Sequence, residues 1–174
     1  KFFCDRAIIL HQLFKTNRRC EMKRFIVFTV VSFFLVWTLS ALAAEFGTEE
    51  EAKAMVKKAI AYVKEVGKEK ALAEFSNLKG KFIDRDLYIF VYDLNGTVLA
   101  HGQNPKLIGK NLYNVKDADG KEYVKERIEL VKAKGSGWQE YKFMNPITKK
   151  IERKRAYVEL YQDMIIGCGA YPKK

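Results

Sequence analysis

Cysteine, histidine and proline are scarce in this chain, at three, two and three among 174 residues. Cys4 and Cys20 precede residue 45, so the chain from there on holds only Cys168 and can form no disulfide within itself. Its stability must come from a hydrophobic core, which a segment of this length can supply. The spacings CxxC, HExxH, GxSxG and GxGxxG are absent. That removes the thiol-redox, zinc-protease, nucleophile-elbow and dinucleotide-binding signatures from consideration, and no metal site or cofactor is expected. No internal repeat is present. The formal net charge is +11, but seven of the 32 basic and two of the 21 acidic residues lie before Glu45. The remainder carries 25 basic against 19 acidic residues, interspersed, without the concentrated stripe that nucleic-acid binding needs.

Long apolar runs are also few, and the one present is near the start. Lys23 and Arg24 precede an almost unbroken apolar stretch from Phe25 to Leu39, followed by Ser40-Ala41-Leu42-Ala43-Ala44. A basic n-region, an apolar run and a small-residue cleavage site make residues 22–44 a secretory signal peptide. A retained membrane anchor is the alternative, although no basic stop-transfer cluster follows. Residues 1–21 are expected to be a leader upstream of a true start at Met22, because Arg18-Arg19-Cys20-Glu21 can be encoded by a purine-rich ribosome-binding sequence. Residues 45–174 are then one domain, exported to the periplasm or secreted.

Within it, residues 48–75 read as helix. Thr48 and Glu51 form a capping box, and Ala52, Met55, Val56, Ala59, Ile60, Val63 and Val66 follow helical spacing, with Gly67 a bend or end. Residues 86–101, DLYIFVYDLNGTVLAH, read as two strands joined at Asn95-Gly96, the pair favoured in a two-residue type I′ turn. Residues 102–120 are a long loop rich in Gly, Asn, Asp and Pro105, of the kind that often covers a pocket. A second helix is predicted over residues 121–134, with Tyr123, Val124, Arg127 (through its aliphatic stem), Ile128 and Val131 inward. Three strands follow, near residues 137–143, 151–161 and 164–171, and the last, apolar on both faces, is predicted to be central. This order predicts an α+β domain with an antiparallel sheet.

The series VYDLNGTVLAHGQNPKLIGKNLYNVKDADGKEY, GSGWQEYKFMNP, KRAYVELY and IIGCGAYP resembles the single Cache domain family closely, over nearly all of residues 45–174. The family's members are extracytoplasmic sensing modules of bacterial chemoreceptors and histidine kinases. The resemblance implies a long N-terminal helix packed on a PAS-like antiparallel sheet of about five strands. It also implies binding of small molecules, prominently short carboxylates such as acetate, propionate, pyruvate or lactate. Unlike the receptors, the sequence stops three residues past its last strand, which suggests a free-standing Cache protein that captures a ligand and works with a receptor, kinase or transporter.

A carboxylate pocket needs a cation or fixed donors and an apolar wall. His101 matches the end of the family's LAH motif; it would donate a hydrogen bond, or as imidazolium pair with the anion, unless it is merely a strand-end residue bonded to backbone. Tyr113, Tyr141 and Tyr157 each offer a phenolic hydroxyl, and Trp138 and Phe143 an apolar wall or core packing. Lys154 falls on the apolar face of its strand with Ala156 and Val158. An inward lysine needs a partner, which a bound carboxylate would be, while a lysine snorkelling at the sheet edge is the plainer reading. Lys106 and Lys110 are expected to face water, and Cys168 to be a small core residue. Catalysis is not expected: Asp84, Asp86, Asp93, Asp117 and Asp119 could in principle assemble a carboxylate site, but Asp93 and Asp117-Ala118-Asp119-Gly120 read better as turn and helix-start residues. The expected function is thus reversible binding of a small organic acid; the alternatives are an interaction protein or a binder of amino acids or amines.

Overall fold

The computed structural model describes residues 46–172, so the expectations for residues 1–21 and 22–44 fall outside the described residues. Thr48 and Glu51 make the reciprocal capping box, and helix α1 runs Glu49–Val66. Gly67, at φ 86°, ends α1 at the position where a bend or end was expected, and α2 (Lys68–Phe75) follows it. A side chain is strained at that φ, which is why the break falls on a glycine. Two short strands, β1 (Ile83–Asp84) and β2 (Leu87–Tyr88), pair with each other. They lead into a five-stranded antiparallel sheet built from β3 (Phe90–Asp93), β4 (Val98–His101), β5 (Ser136–Met144), β6 (Ile151–Tyr161) and β7 (Met164–Ala170), in the order β4-β3-β7-β6-β5. Helix α3 (Tyr123–Lys134) lies between β4 and β5 in sequence. The predicted α+β arrangement is therefore the one observed, with β7 central.

The β3–β4 connection differs from a two-residue type I′ turn. Gly96 has φ 87° while Asn95 keeps an ordinary negative φ, and Gly96 N donates to Asp93 O at 3.3 Å. The Asp93 carboxylate accepts from Asn95 N and Thr97 N at 2.9 and 2.7 Å, so the side chain, not a second left-handed residue, closes the loop. Further along, Val91 pairs with Ala100 but Tyr92 with Val98, which leaves Leu99 as a bulge. Leu99 and Ala100 both pack on the helix side, and the parity of the strand is reversed beyond them. Val98 and His101 thereby share a face, which strict alternation would forbid.

The sheet has two covered faces. Helices α1 and α2 pack on Leu87, Ile89, Val91, Met164, Ile166, Cys168 and Ala170. Helix α3 packs on the other, against Phe90, Tyr92, Tyr141, Ala156, Val158 and Ile165. On this second face β7 presents Gly167 and Gly169. A Cβ at Gly167 would overlap the Phe90 ring, and one at Gly169 would come within 2.8 Å of the Ala156 backbone. The missing side chains leave a trough across the central strand in which the Phe90 ring lies.

Residues 102–122 cover the rest of this face. Val98 N donates to Lys110 O and Gly109 N to Val98 O, fastening the loop to the β4 edge. At the opposite edge, Lys142 N donates to Asp117 Oδ2 and Lys121 Nζ to Glu140 O, which occupies backbone groups that β5 would otherwise expose. Among the described residues no helix is long and apolar enough to cross a membrane.

Replacing Gly167 by Ala is expected to cost about 1–3 kcal/mol through overpacking. A lower urea midpoint at unchanged slope would show it, and Phe90→Leu in the same chain should recover part of the loss.

Candidate functional site

On the α3 face a cavity of about 480 Å³ opens between residues 103–118 and the ends of β5 and β6. Tyr88, His101 and Tyr123, 1%, 2% and 4% exposed, close its inner end. Phe143, Leu107 and Leu112 form walls, and Val115, Lys116, Lys149 and Ile151 surround the mouth.

His101 reaches this face because of the Leu99 bulge. Its ring lies between Tyr88 and Phe143, centroids 5.1 and 6.1 Å away. Nδ1 accepts from Gln103 N and Asn104 N at 3.2 and 3.0 Å, so the proton of the neutral ring is on Nε2. Burial, reinforced by the positive charges of Lys154 and Arg127, lowers its pKa to about 3. His101 is therefore a neutral Nε2–H donor at any physiological pH, and the imidazolium alternative is set aside. The bland alternative is also altered, since its backbone partners are two N–H donors.

Lys154 faces inward as its strand alternation predicts. It is fully buried, with no hydrogen-bond partner for Nζ among the described residues. Nζ sits 3.7 Å from the Tyr88 ring centroid and 5.0 Å from that of Tyr171, and Phe90 and Phe143 lie within 6 Å. It lies behind two cavity-lining rings and does not itself line the cavity. A snorkelling position at the sheet edge is ruled out by this burial. Desolvation lowers its pKa to about 7; nearby Arg127 acts in the same sense, while Cys168 and Asp86 oppose it.

Arg127 is a second buried cation. From the inner face of α3 its Nε donates to Gln139 Oε1 at 3.2 Å, and Gln139 in turn donates to Tyr123 O at 2.6 Å. Its two terminal nitrogens make no hydrogen bond of good geometry among the described residues, although the Tyr92 and Tyr141 side chains interact with them electrostatically, and the guanidinium lies over the rings of Phe90, Tyr92, Tyr141 and Tyr123 at 4.5–5.6 Å. Cation–π contact offsets part of the burial cost of both cations, but does not neutralise them.

The other sequence-predicted residues divide by face. Phe143 lines the cavity. Tyr141 is one ring deeper, stacked on Tyr123 with centroids 4.8 Å apart and planes 4° from parallel. Tyr113 is half-buried in the loop, its backbone N–H bonded to Asn111 Oδ1, beside the β3–β4 turn and outside the cavity wall. Trp138 and Tyr157 belong to the helix side: they meet edge to face at 5.3 Å, and Lys53 of α1 lies over the Tyr157 ring. The structure does not bring these two to the cavity, because Tyr157 has the parity opposite to Lys154 on β6 and Trp138 pairs with Tyr157 across the β5–β6 register. Lys106 and Lys110 are exposed and do not line it. The aspartates do not converge either. Asp93 and Asp117 hold turns, Asp84 pairs with Arg85, Asp119 with Lys142, and Asp86 is buried under the chain's own backbone donors.

Sequence reasoning missed Tyr88, Tyr123 and the cation role of Arg127. The signal for Arg127 was present: a charged residue at a core position of an otherwise apolar helix face.

Comparison with known proteins places these features in a family. The family model described as Single Cache domain 2 matches residues 40–173. The methyl-accepting chemotaxis protein McpP of Pseudomonas putida is 30% identical over 90 residues, covering 51% of this chain and 16% of its own length. The sensor histidine kinase MctS of Rhizobium johnstonii is 33% identical over 89 residues, covering 50% and 19%. The matches thus span less than a fifth of either relative. A solved Cache chemosensory domain, described for its recognition of carboxylic acids, superposes with a TM-score of 0.61 at 29% identity, over 71% of this chain and 92% of that one.

Because Lys154 has a folded pKa of about 7 against about 10.4 unfolded, the unfolded chain binds the extra proton between those values. Stability of the ligand-free protein should therefore rise as pH is raised from about 7 towards 9. Lys154→Met should flatten that rise and stabilise the protein most at the acid end; thermal midpoints across pH 6–9 test both.

Proposed function

The chain belongs to the Single Cache domain 2 family, and from that premise we propose that it binds a small organic carboxylate reversibly at the inner end of the cavity, without chemistry. Cache domains serve as extracytoplasmic, non-catalytic sensor modules of chemotaxis receptors and histidine kinases. The observation that carries the carboxylate reading is the charge balance of the α3 face. Lys154 and Arg127 are both buried with nitrogens that lack a hydrogen-bond partner, His101 contributes a neutral Nε2–H, and among the described residues the one carboxylate lining the cavity, Asp117, is already committed to three backbone N–H groups. An anion is the ligand class that such a face lacks.

In this reading the carboxylate accepts from His101 Nε2 and draws the Lys154 ammonium off the Tyr88 ring by side-chain rotation. Nζ has no hydrogen bond to give up in that movement. Phe143 and Tyr123 exclude water, which strengthens each charged contact. Tyr141 backs Tyr123 and keeps its ring in place. Lys116 and Lys149 at the mouth attract the anion on approach. The domain acts in the periplasm or outside the cell after removal of residues 22–44, and passes occupancy to a receptor, kinase or transporter.

At one hundred times its dissociation constant, a ligand adds about 2.7 kcal/mol of stability, several degrees in thermal midpoint. A thermal-shift screen of acetate, propionate, pyruvate, lactate, amino acids and amines should give shifts of that size with acids alone. His101→Ala and Lys154→Met should each abolish most of the shift. Lys154→Met should do so while making the ligand-free protein more stable, which separates lost binding from lost folding. The reading fails if amines stabilise and acids do not, or if both variants keep the full response.

A further inference from the structure

The cavity has its buried hydrogen-bond donor at the inner end and a cluster of aliphatic side chains, among polar ones, towards the mouth. Its inner end holds the His101 donor with two cations behind it. Towards the mouth the apolar side chains are Leu107, Leu112 and then Val115 and Ile151, the last two 41% and 60% exposed, and they stand among the polar Gln103, Asn104 and Lys142. Met144, 56% exposed, stands with them. A single exposed apolar side chain is ordinary, but these come from a loop and two strands and converge on one opening, where a contiguous apolar patch calls for an occupant. A two- or three-carbon acid seated on His101 would leave them all in water. A volume of about 480 Å³ lies in the range of roughly 300–1,000 Å³ that encloses a ligand several times that size.

The outer part offers a second carboxylate only the solvent-exposed ammonium groups of Lys116 and Lys149, whose attraction is screened by water and salt. Asp117 lines it, and its carboxylate accepts from the backbone N–H groups of Asp119, Lys121 and Lys142 at 2.9 Å each. Burial works to raise its pKa, but those donors hold it below the usual carboxylate range, so it stays anionic. It therefore opposes a second carboxylate. Lys142 is already paired with Asp119 at 2.7 Å. The stems of Lys116 and Lys149 instead add aliphatic surface beside the opening.

We propose that the ligand is a monocarboxylic acid with an extended apolar tail, its carboxylate at the His101 end and its tail along Leu107, Leu112, Val115 and Ile151. This rests on the carboxylate reading above and goes beyond it in ligand class. The tail supplies the affinity and the buried donors supply orientation.

Calorimetric titration of the protein with acetate, butyrate, hexanoate and adipate tests it. The dissociation constant should fall about threefold to fourfold for each methylene added from acetate to hexanoate, the gain for burying a methylene. The heat-capacity change should become more negative along the same series. Hexanoate should bind more tightly than adipate. Val115→Asp and Ile151→Asp, both at exposed positions, should weaken hexanoate at least tenfold more than they weaken acetate. Affinity that peaks at two or three carbons, or adipate binding as tightly as hexanoate, overturns the tail assignment while leaving the carboxylate reading intact. If no acid binds at all, the carboxylate reading itself falls.

Discussion

A lysine buried without a hydrogen bond is the condition around which the rest of this domain is arranged. Lys154 is packed between aromatic rings, and each nearby element can be understood by what it does to that ammonium. Desolvating it is costly enough to bring its pKa to about 7, and a second cation, Arg127, adds to the cost. A domain selected for stability alone would place an apolar residue there. The unfavourable term is tolerable because the helix-side core is free of it: Val56, Ala59, Met164, Ile166 and Cys168 are fully buried with no cation among them. The two faces of one sheet thus differ in kind, one an apolar core and the other carrying both buried cations.

Two backbone devices make the active face possible. Gly167 and Gly169 leave the central strand bare, so the Phe90 ring can lie flat beneath the cations. The Leu99 bulge turns His101 onto the same side. Neither contributes a polar contact. They determine where the polar contacts can be, and a histidine in the unbulged register would have pointed into the helix-side core.

Much of the fold was legible from local signals that agree with the tertiary outcome. The capping box at Thr48, the apolar spacing of α1 and α3, and the two-faced apolar character of residues 164–170 are such signals, and they led to the correct layers. Within the β3–β4 turn, Asn95-Gly96 misled on geometry, because a carboxylate two residues earlier supplied a competing closure that pair statistics ignore. The site was legible only in part. Alternation correctly turned Lys154 inward, and applied with equal rigour it already separated Lys154 from Tyr157. His101 reached its face by a bulge, which has no marker in this sequence. Tyr88 and Tyr123 lie in segments far apart in the chain, and only the packing of α3 over that face of the sheet brings them together. Arg127 was hidden by the ordinary habit of long side chains, whose stems pack while their heads reach water; here the head is buried as well.

The domain also contains a buried carboxyl group near Lys154 that does not pair with it. Asp86 is fully buried, and its attraction raises the lysine pKa, yet Nζ makes no hydrogen bond to it. The reason lies in what already occupies its oxygens. Gly47 N donates to Oδ1 at 2.5 Å and Tyr171 N to Oδ2 at 3.3 Å, so Asp86 joins the segment leading into α1 to the end of β7. Tyr171 then extends its ring over Lys154 and donates its hydroxyl to Met144 O, at the rim of the cavity. Moving Asp86 onto the lysine would strand the buried N–H of Tyr171 and the half-buried N–H of Gly47, at a cost comparable to the pairing gained. The carboxylate is therefore committed to the fold, and it tempers the lysine charge from a distance without quenching it. An internal anion that close-paired with Lys154 would have left nothing for a ligand to satisfy.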